Sequence, residues 1–67
     1  MIRKQVGKRI KELRNKFGMT QEEFADRANV HRTYIASLEV GKRNVSIVTL
    51  EKITNAFEIS LSEFFDF

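Results

Sequence analysis

The sequence predicts an all-α fold of five short helices, and three observations carry that prediction. Apolar residues recur three and four positions apart through most of the chain. Two Ser/Thr-x-x-Glu patterns, Thr20–Glu23 and Ser60–Glu63, mark helix starts as capping boxes. No window alternates with period two for long enough to make a strand. With no proline, no Gly/Ser linker and no repeat, nothing divides the chain, so residues 1–67 are expected to form one domain.

The first helix, over residues 2 to 17, places Val6, Ile10, Leu13 and Phe17 on one face, with basic residues around the rest. Gly18 supplies a left-handed stop. Met19 then precedes the cap of the second helix, where it can staple onto Phe24. Thr20 caps that helix and Glu23 reaches back to the Thr20 amide, while Phe24, Ala25 and Ala28 share its inner face. Asn29 tolerates positive φ and ends the helix. Val30 tucks toward the core and a third helix starts near His31. Ile35 and Leu38 face inward there, which leaves Arg32, Thr33, Ala36 and Ser37 facing outward. Gly41 ends the third helix, beside Val40. The basic loop GKRNVS, residues 41–46, leads to Ser46, a good cap for a fourth helix. Its apolar stripe is Ile47 or Val48, then Leu50, Ile53, Ala56 and Phe57. Ile59 packs after it, and Ser60 opens a last short helix holding Leu61, Phe64 and Phe65.

A chain of 67 residues has a small core, worth only a few kcal/mol of net stability. It has no cysteine and one histidine, so disulfides and a metal site are not expected to support it, and no cofactor is implied. Oligomerisation or economical helix packing has to serve instead. No segment approaches the ~20 apolar residues of a membrane span, and no signal-peptide pattern opens the chain, so a cytoplasmic protein with no membrane partner is expected. Ser, Asp and the lone His occur at no catalytic spacing, and no Gly-rich phosphate loop or inward carboxylate pair appears. An enzyme is not expected, nor a pocket for a small-molecule effector.

The charge is unevenly placed. Residues 1–18 hold seven basic side chains against Glu12 alone, whereas residues 47–67 hold Glu51, Glu58, Glu63 and Asp66 against Lys52. One half can therefore face an acidic polymer while the other faces away. By itself this also fits an ordinary solvated helix surface. The short, polar, hydrogen-bonding outer face of the third helix is the sharper signal, because it suits insertion into a DNA major groove.

TQEEFA, the turn at Asn29–His31, YIASLE, GKRN and the stripe of the fourth helix together resemble phage repressors and Cro-like regulators. The helix-turn-helix covers about residues 20–39, and the likeness runs over almost the whole chain. The run HRTYIASLEVGKRNVS is similar to the small controller proteins that regulate restriction–modification operons. Asn29 departs from the glycine usual at that turn, but Asn is the next-best residue at positive φ.

The resemblance implies a compact five-helix, lambda-repressor-like DNA-binding domain, bacterial or phage-encoded, that regulates transcription. It implies that Arg32 reads a guanine edge and that Thr33, Ala36 and Ser37 contact bases. Gln21, His31, Tyr34, Arg43, Asn44 and Ser46 would hold the DNA backbone. Outside the motif, Gln21 reads as an ordinary exposed glutamine, Arg43 and Asn44 as a solvated turn, and Tyr34 as an edge of the core. An arginine of the first helix pairs with a glutamate at the end of the third in this family, and Arg14 and Glu39 match those positions. The resemblance further implies a twofold homodimer on a near-palindromic operator in double-stranded DNA. Phe64, Phe65 and Phe67 cannot all be buried in so small a core, so they are expected at the dimer interface with Ile47 or Val48. The runners-up are a phage-type repressor and an antitoxin-type protein-interaction module, the latter needing an exposed binding tail.

Overall fold

The computed structural model describes residues 1–67 as α1 (Ile2–Lys16), α2 (Gln21–Ala28), α3 (Arg32–Glu39), α4 (Ile47–Phe57) and α5 (Leu61–Phe64), with no strand. α2, α4 and α5 each begin at a residue in extended geometry whose side chain caps the helix. Thr20 Oγ1 accepts from the Glu23 amide at 3.1 Å while Glu23 Oε1 accepts from the Thr20 amide at 2.8 Å. Ser60 and Glu63 repeat the arrangement at 3.1 and 3.2 Å, and Ser46 Oγ accepts from the Thr49 amide at 3.1 Å. These bonds satisfy amide donors that the first turn of a helix leaves without partners.

α2 and α4 stop at left-handed residues. Asn29 ends α2 at φ 59° without glycine, and Glu58 ends α4 at φ 56°, a stop the sequence pattern did not announce. The Ile59 amide bonds back to the Thr54 carbonyl at 3.1 Å, which closes that end.

Thirteen apolar side chains from all five helices form one core, with Phe24, Ile10, Ile35, Ile53 and Phe64 fully buried. Phe24 and Phe57 stack at 4.3 Å between ring centroids. Met19, Val30, Tyr34, Val45 and Ile59 pack at its margins. Phe17, expected on the buried stripe of α1, lies just past the helix end and is about half exposed, leaning on Phe57 at 5.7 Å.

Two corrections concern α4 and α5. Ile47 and Val48 do not join the stripe of α4, since both are largely exposed; Thr54 takes an inner place, its hydroxyl donating to the Glu51 carbonyl at 3.1 Å. Phe64, expected at a dimer interface, is fully buried within its own chain. α5 lies on the core with that ring beneath it, and Arg9 of α1 ties down its end: Nε donates to the Phe64 carbonyl and Nη2 to the Glu63 carbonyl, each at 2.7 Å. The fork gives the Phe64 carbonyl a partner and adds a second donor to the Glu63 carbonyl, which also accepts from the Asp66 amide at 3.3 Å.

α1 and α3 approach closely at Gly7. A Cβ on Gly7 would run into the Leu38 carbonyl oxygen and lie 2.8 Å from that of Glu39. Only glycine lets the two backbones meet there. No helix of the chain is long and apolar enough to cross a membrane.

Candidate nucleic-acid interface

The outer face of α3 is positioned by what its inner face and its end are tied to. Ile35 and Leu38 anchor it to the core, and the Gly7 contact sets its distance from α1. Glu39 fixes its last turn. Arg14 Nε donates to Glu39 Oε2 at 2.7 Å, Arg14 Nη2 to Oε1 at 3.1 Å, and Gln21 Nε2 to Oε1 at 3.1 Å. Arg14 Nη1 also donates to the Met19 carbonyl at 2.8 Å. The two side chains are only 11% and 3% exposed, so this bidentate pair is nearly dry. Its hydrogen bonds to Glu39 raise the Arg14 pKa above the ordinary value, outweighing the opposing effect of burial. One network therefore joins α1, the α1–α2 connection, the start of α2 and the end of α3.

That network changes the part available to Gln21. Expected as a free contact to the DNA backbone, it is half-buried with one amide N–H committed to Glu39. Its second N–H and the α2 N-terminus remain for an anion. Ser46 is committed further: its hydroxyl accepts from the Thr49 amide and donates to Thr49 Oγ1 at 2.9 Å, so it serves the α4 cap.

On the outer face Arg32 and Thr33 are exposed, while Ala36 and Ser37 are partly covered. Arg32 Nη1 donates to Glu22 Oε2 at 2.9 Å. Ser37 Oγ donates to the Thr33 carbonyl at 3.0 Å, which leaves its lone pairs, and not its proton, facing outward. His31 sits at the α3 N-cap, but its side chain caps nothing. Tyr34 packs on the core margin, with the Arg43 guanidinium 5.6 Å from its ring centroid, a cation–π contact that ties the 41–46 loop to α3. Asn29, Val30, His31, Thr33, Tyr34, Ser37 and Arg43 line one open depression. The structure thus brings together His31, Thr33, Tyr34, Ser37 and Arg43, while Arg32 and Ala36 do not line the depression and Arg32 pairs with Glu22. Asn44, Ser46 and Gln21 lie outside the depression.

The family model described as helix-turn-helix matches residues 10–64. This chain belongs to the helix-turn-helix family. It is 48% identical over 65 residues to control protein C.MunI of Mycoplasma sp, covering 96% of this chain and 88% of that one. Among solved structures it resembles the restriction-modification controller protein C.AhdI of Aeromonas hydrophila, with a TM-score of 0.90 and 36% identity, covering 94% of this chain and 91% of that one. The C.Esp1396I controller, solved as a tetramer in complex with its natural 35 base-pair operator, superposes at a TM-score of 0.91 with 39% identity, over 98% and 87% of the two chains.

Within this helix-turn-helix chain a second surface is apolar. Ile2, Val6, Val45, Leu50 and Phe65 line a groove flanked by Arg3 and Arg43, and Phe67 sits 5.9 Å from the Phe65 ring. Sequence reasoning passed over Gly7, Arg9 and Glu22. Their partners lie elsewhere in the chain, at Leu38, Phe64 and Arg32, and no local pattern announces such pairs.

Proposed function

We propose that this chain is a sequence-specific regulator of transcription, a controller of a restriction–modification operon, which grips a near-palindromic operator as a homodimer. The observation that carries this is the polar face of α3, exposed at Arg32 and Thr33 and held from behind by the buried Arg14–Glu39–Gln21 network. The similarity to controller proteins, one of them solved on its operator, supports the same reading.

In this reading α3 enters the major groove. Arg32 donates to guanine O6 and N7, and Thr33, Ala36 and the outward lone pairs of Ser37 meet neighbouring base edges. His31, Tyr34, Arg43 and Asn44 hold the phosphates, joined by the α2 N-terminus at Gln21. One helix reads only a few base pairs, so a twofold dimer sets two of them about 34–36 Å apart on successive grooves. Ile47, Val48, Phe65 and Phe67 form the contact surface, and Phe64 is no part of it. The protein works in the cytoplasm by its own concentration, without cofactor or catalytic activity.

Selection of bound duplexes from a random pool tests this. Enriched sequences should contain two related half-sites at a fixed spacing, with affinity falling steeply as salt rises. An Arg32→Ala, Thr33→Ala double variant should lose the preference. A pool that yields no enriched motif, or a double variant that holds the selected duplex as tightly as the parent, overturns the reading.

A further inference from the structure

An acidic residue stands on the surface that this reading presents to phosphates. Glu22 lies in the first turn of α2, its side chain 65% exposed, and its Oε2 accepts from Arg32 Nη1 at 2.9 Å. The pair bridges the two helices of the helix-turn-helix. Exposed ion pairs add only about 0–1 kcal/mol to a fold, so folding alone gives Glu22 little to do there.

The geometry of the guanidinium gives it more. Arginine carries five N–H donors in a rigid planar fork. A carboxylate on Nη1 leaves the Nη2 and Nε protons free and parallel, a donor pair that guanine O6 and N7 can accept. The same contact limits the rotamers of Arg32 before DNA arrives, so less side-chain entropy remains to be lost on binding. It also discourages Arg32 from turning to a phosphate, because the phosphate would have to displace or approach the carboxylate.

We propose that Glu22 is a positioning residue for sequence discrimination. By holding one edge of the Arg32 fork, it presents the other edge to a guanine. This rests on the DNA-binding reading above and adds a residue to it.

The test uses the whole chain, the duplex selected from the random pool, a random duplex, and the selected duplex with 7-deazaguanine replacing the half-site guanine. Loss of a negative charge alone raises affinity for every duplex alike, so the ratio of selected to random affinity isolates the positioning. Glu22→Ala should lower that ratio about tenfold, within the discrimination a bidentate arginine–guanine contact supplies, and should shrink the penalty of removing N7. In an Arg32→Ala background the same change should leave the ratio where it was. An unchanged ratio and N7 penalty in Glu22→Ala overturn the proposal, as does an equal fall of the ratio without Arg32. A selected duplex with no Glu22 effect sinks this inference alone, whereas failure to select any duplex sinks the DNA-binding reading with it.

Discussion

Removing the Glu39 carboxylate is the sharpest test of how α3 is held. In Glu39→Ala the Arg14 guanidinium, 11% exposed, keeps only the Met19 carbonyl as a partner, and Gln21 loses its acceptor. Breaking a buried pair from one side costs about 3–5 kcal/mol, because a charge is stranded in a dry site. With Glu39 itself 3% exposed, there is little solvent screening to discount. A domain of this size has a total stability of about 3–10 kcal/mol, so the loss is a large share of the whole. At about 4–8 °C per kcal/mol for small domains, even the low ends of both ranges give a fall in Tm of about 12 °C. Ser37→Ala, on the same helix, removes only a hydroxyl bonded back to Thr33 and should stay within about 0.5 kcal/mol. Thermal melts followed by circular dichroism would compare the two variants with the parent. Equal melting curves for Glu39→Ala and Ser37→Ala would refute the claim that the pair is a structural anchor.

Gly7→Ala forces α1 and α3 apart at the Leu38 carbonyl, and urea unfolding should show a loss of about 1–3 kcal/mol, typical of overpacking. Arg9→Lys cannot span the Glu63 and Phe64 carbonyls with a planar fork, so the last amides of the chain should exchange faster with deuterium while those of α2 keep their protection. The Glu23 pKa is lowered from its ordinary value of 4.5, first by its bond to the Thr20 amide and then by the Thr20 hydroxyl. A depressed carboxylate pKa adds stability above the unfolded value and loses it as pH falls through the folded one. Glu23→Gln should therefore melt below the parent at pH 7, with the gap closing once the pH drops below the depressed pKa; a gap that is constant with pH would contradict this. Replacing Phe65 and Phe67 together by serine should weaken self-association at least about tenfold, as loss of interface anchors does, read by sedimentation equilibrium.

The parts of this fold that were legible in the sequence are those whose causes lie within four residues. Thr20 and Glu23, Ser46 and Thr49, and Ser60 and Glu63 cap their helices by local bonds, and Asn29 stops α2 by its own backbone tolerance. Spacing likewise identified Ile35 and Leu38 as inner, and hence Arg32 and Thr33 as outer. Phe64 and Gln21 were misplaced because their partners lie far along the chain. Phe64, Phe65 and Phe67 are chemically alike, and which of them turns inward depends on how α5 seats on the core, where its end is bonded by Arg9, 55 residues before Phe64. Ser46 and Gln21 carry side chains suited either to a cap or network or to a phosphate, and only the folded neighbours decide between them.

These constraints are distributed unequally along α3, and the inequality bears on how it reads DNA. Its C-terminal turn is held by the Gly7 contact and by three part-buried hydrogen bonds to Glu39, two of them from the nearly dry Arg14. Its N-terminal turn has no side-chain cap from His31, and Arg32 is held only by the exposed pair with Glu22. Buried charge-assisted bonds resist displacement far more than exposed ones do. The helix is thus anchored at the end nearest the scaffold and adjustable at the end that carries Arg32. On the proposed reading, such an arrangement would fix the angle at which the helix enters the groove through the Glu39 anchor and leave the orientation of Arg32 to its exposed pair with Glu22, so loss of the anchor should weaken binding to every operator and loss of Glu22 should change which operator is preferred.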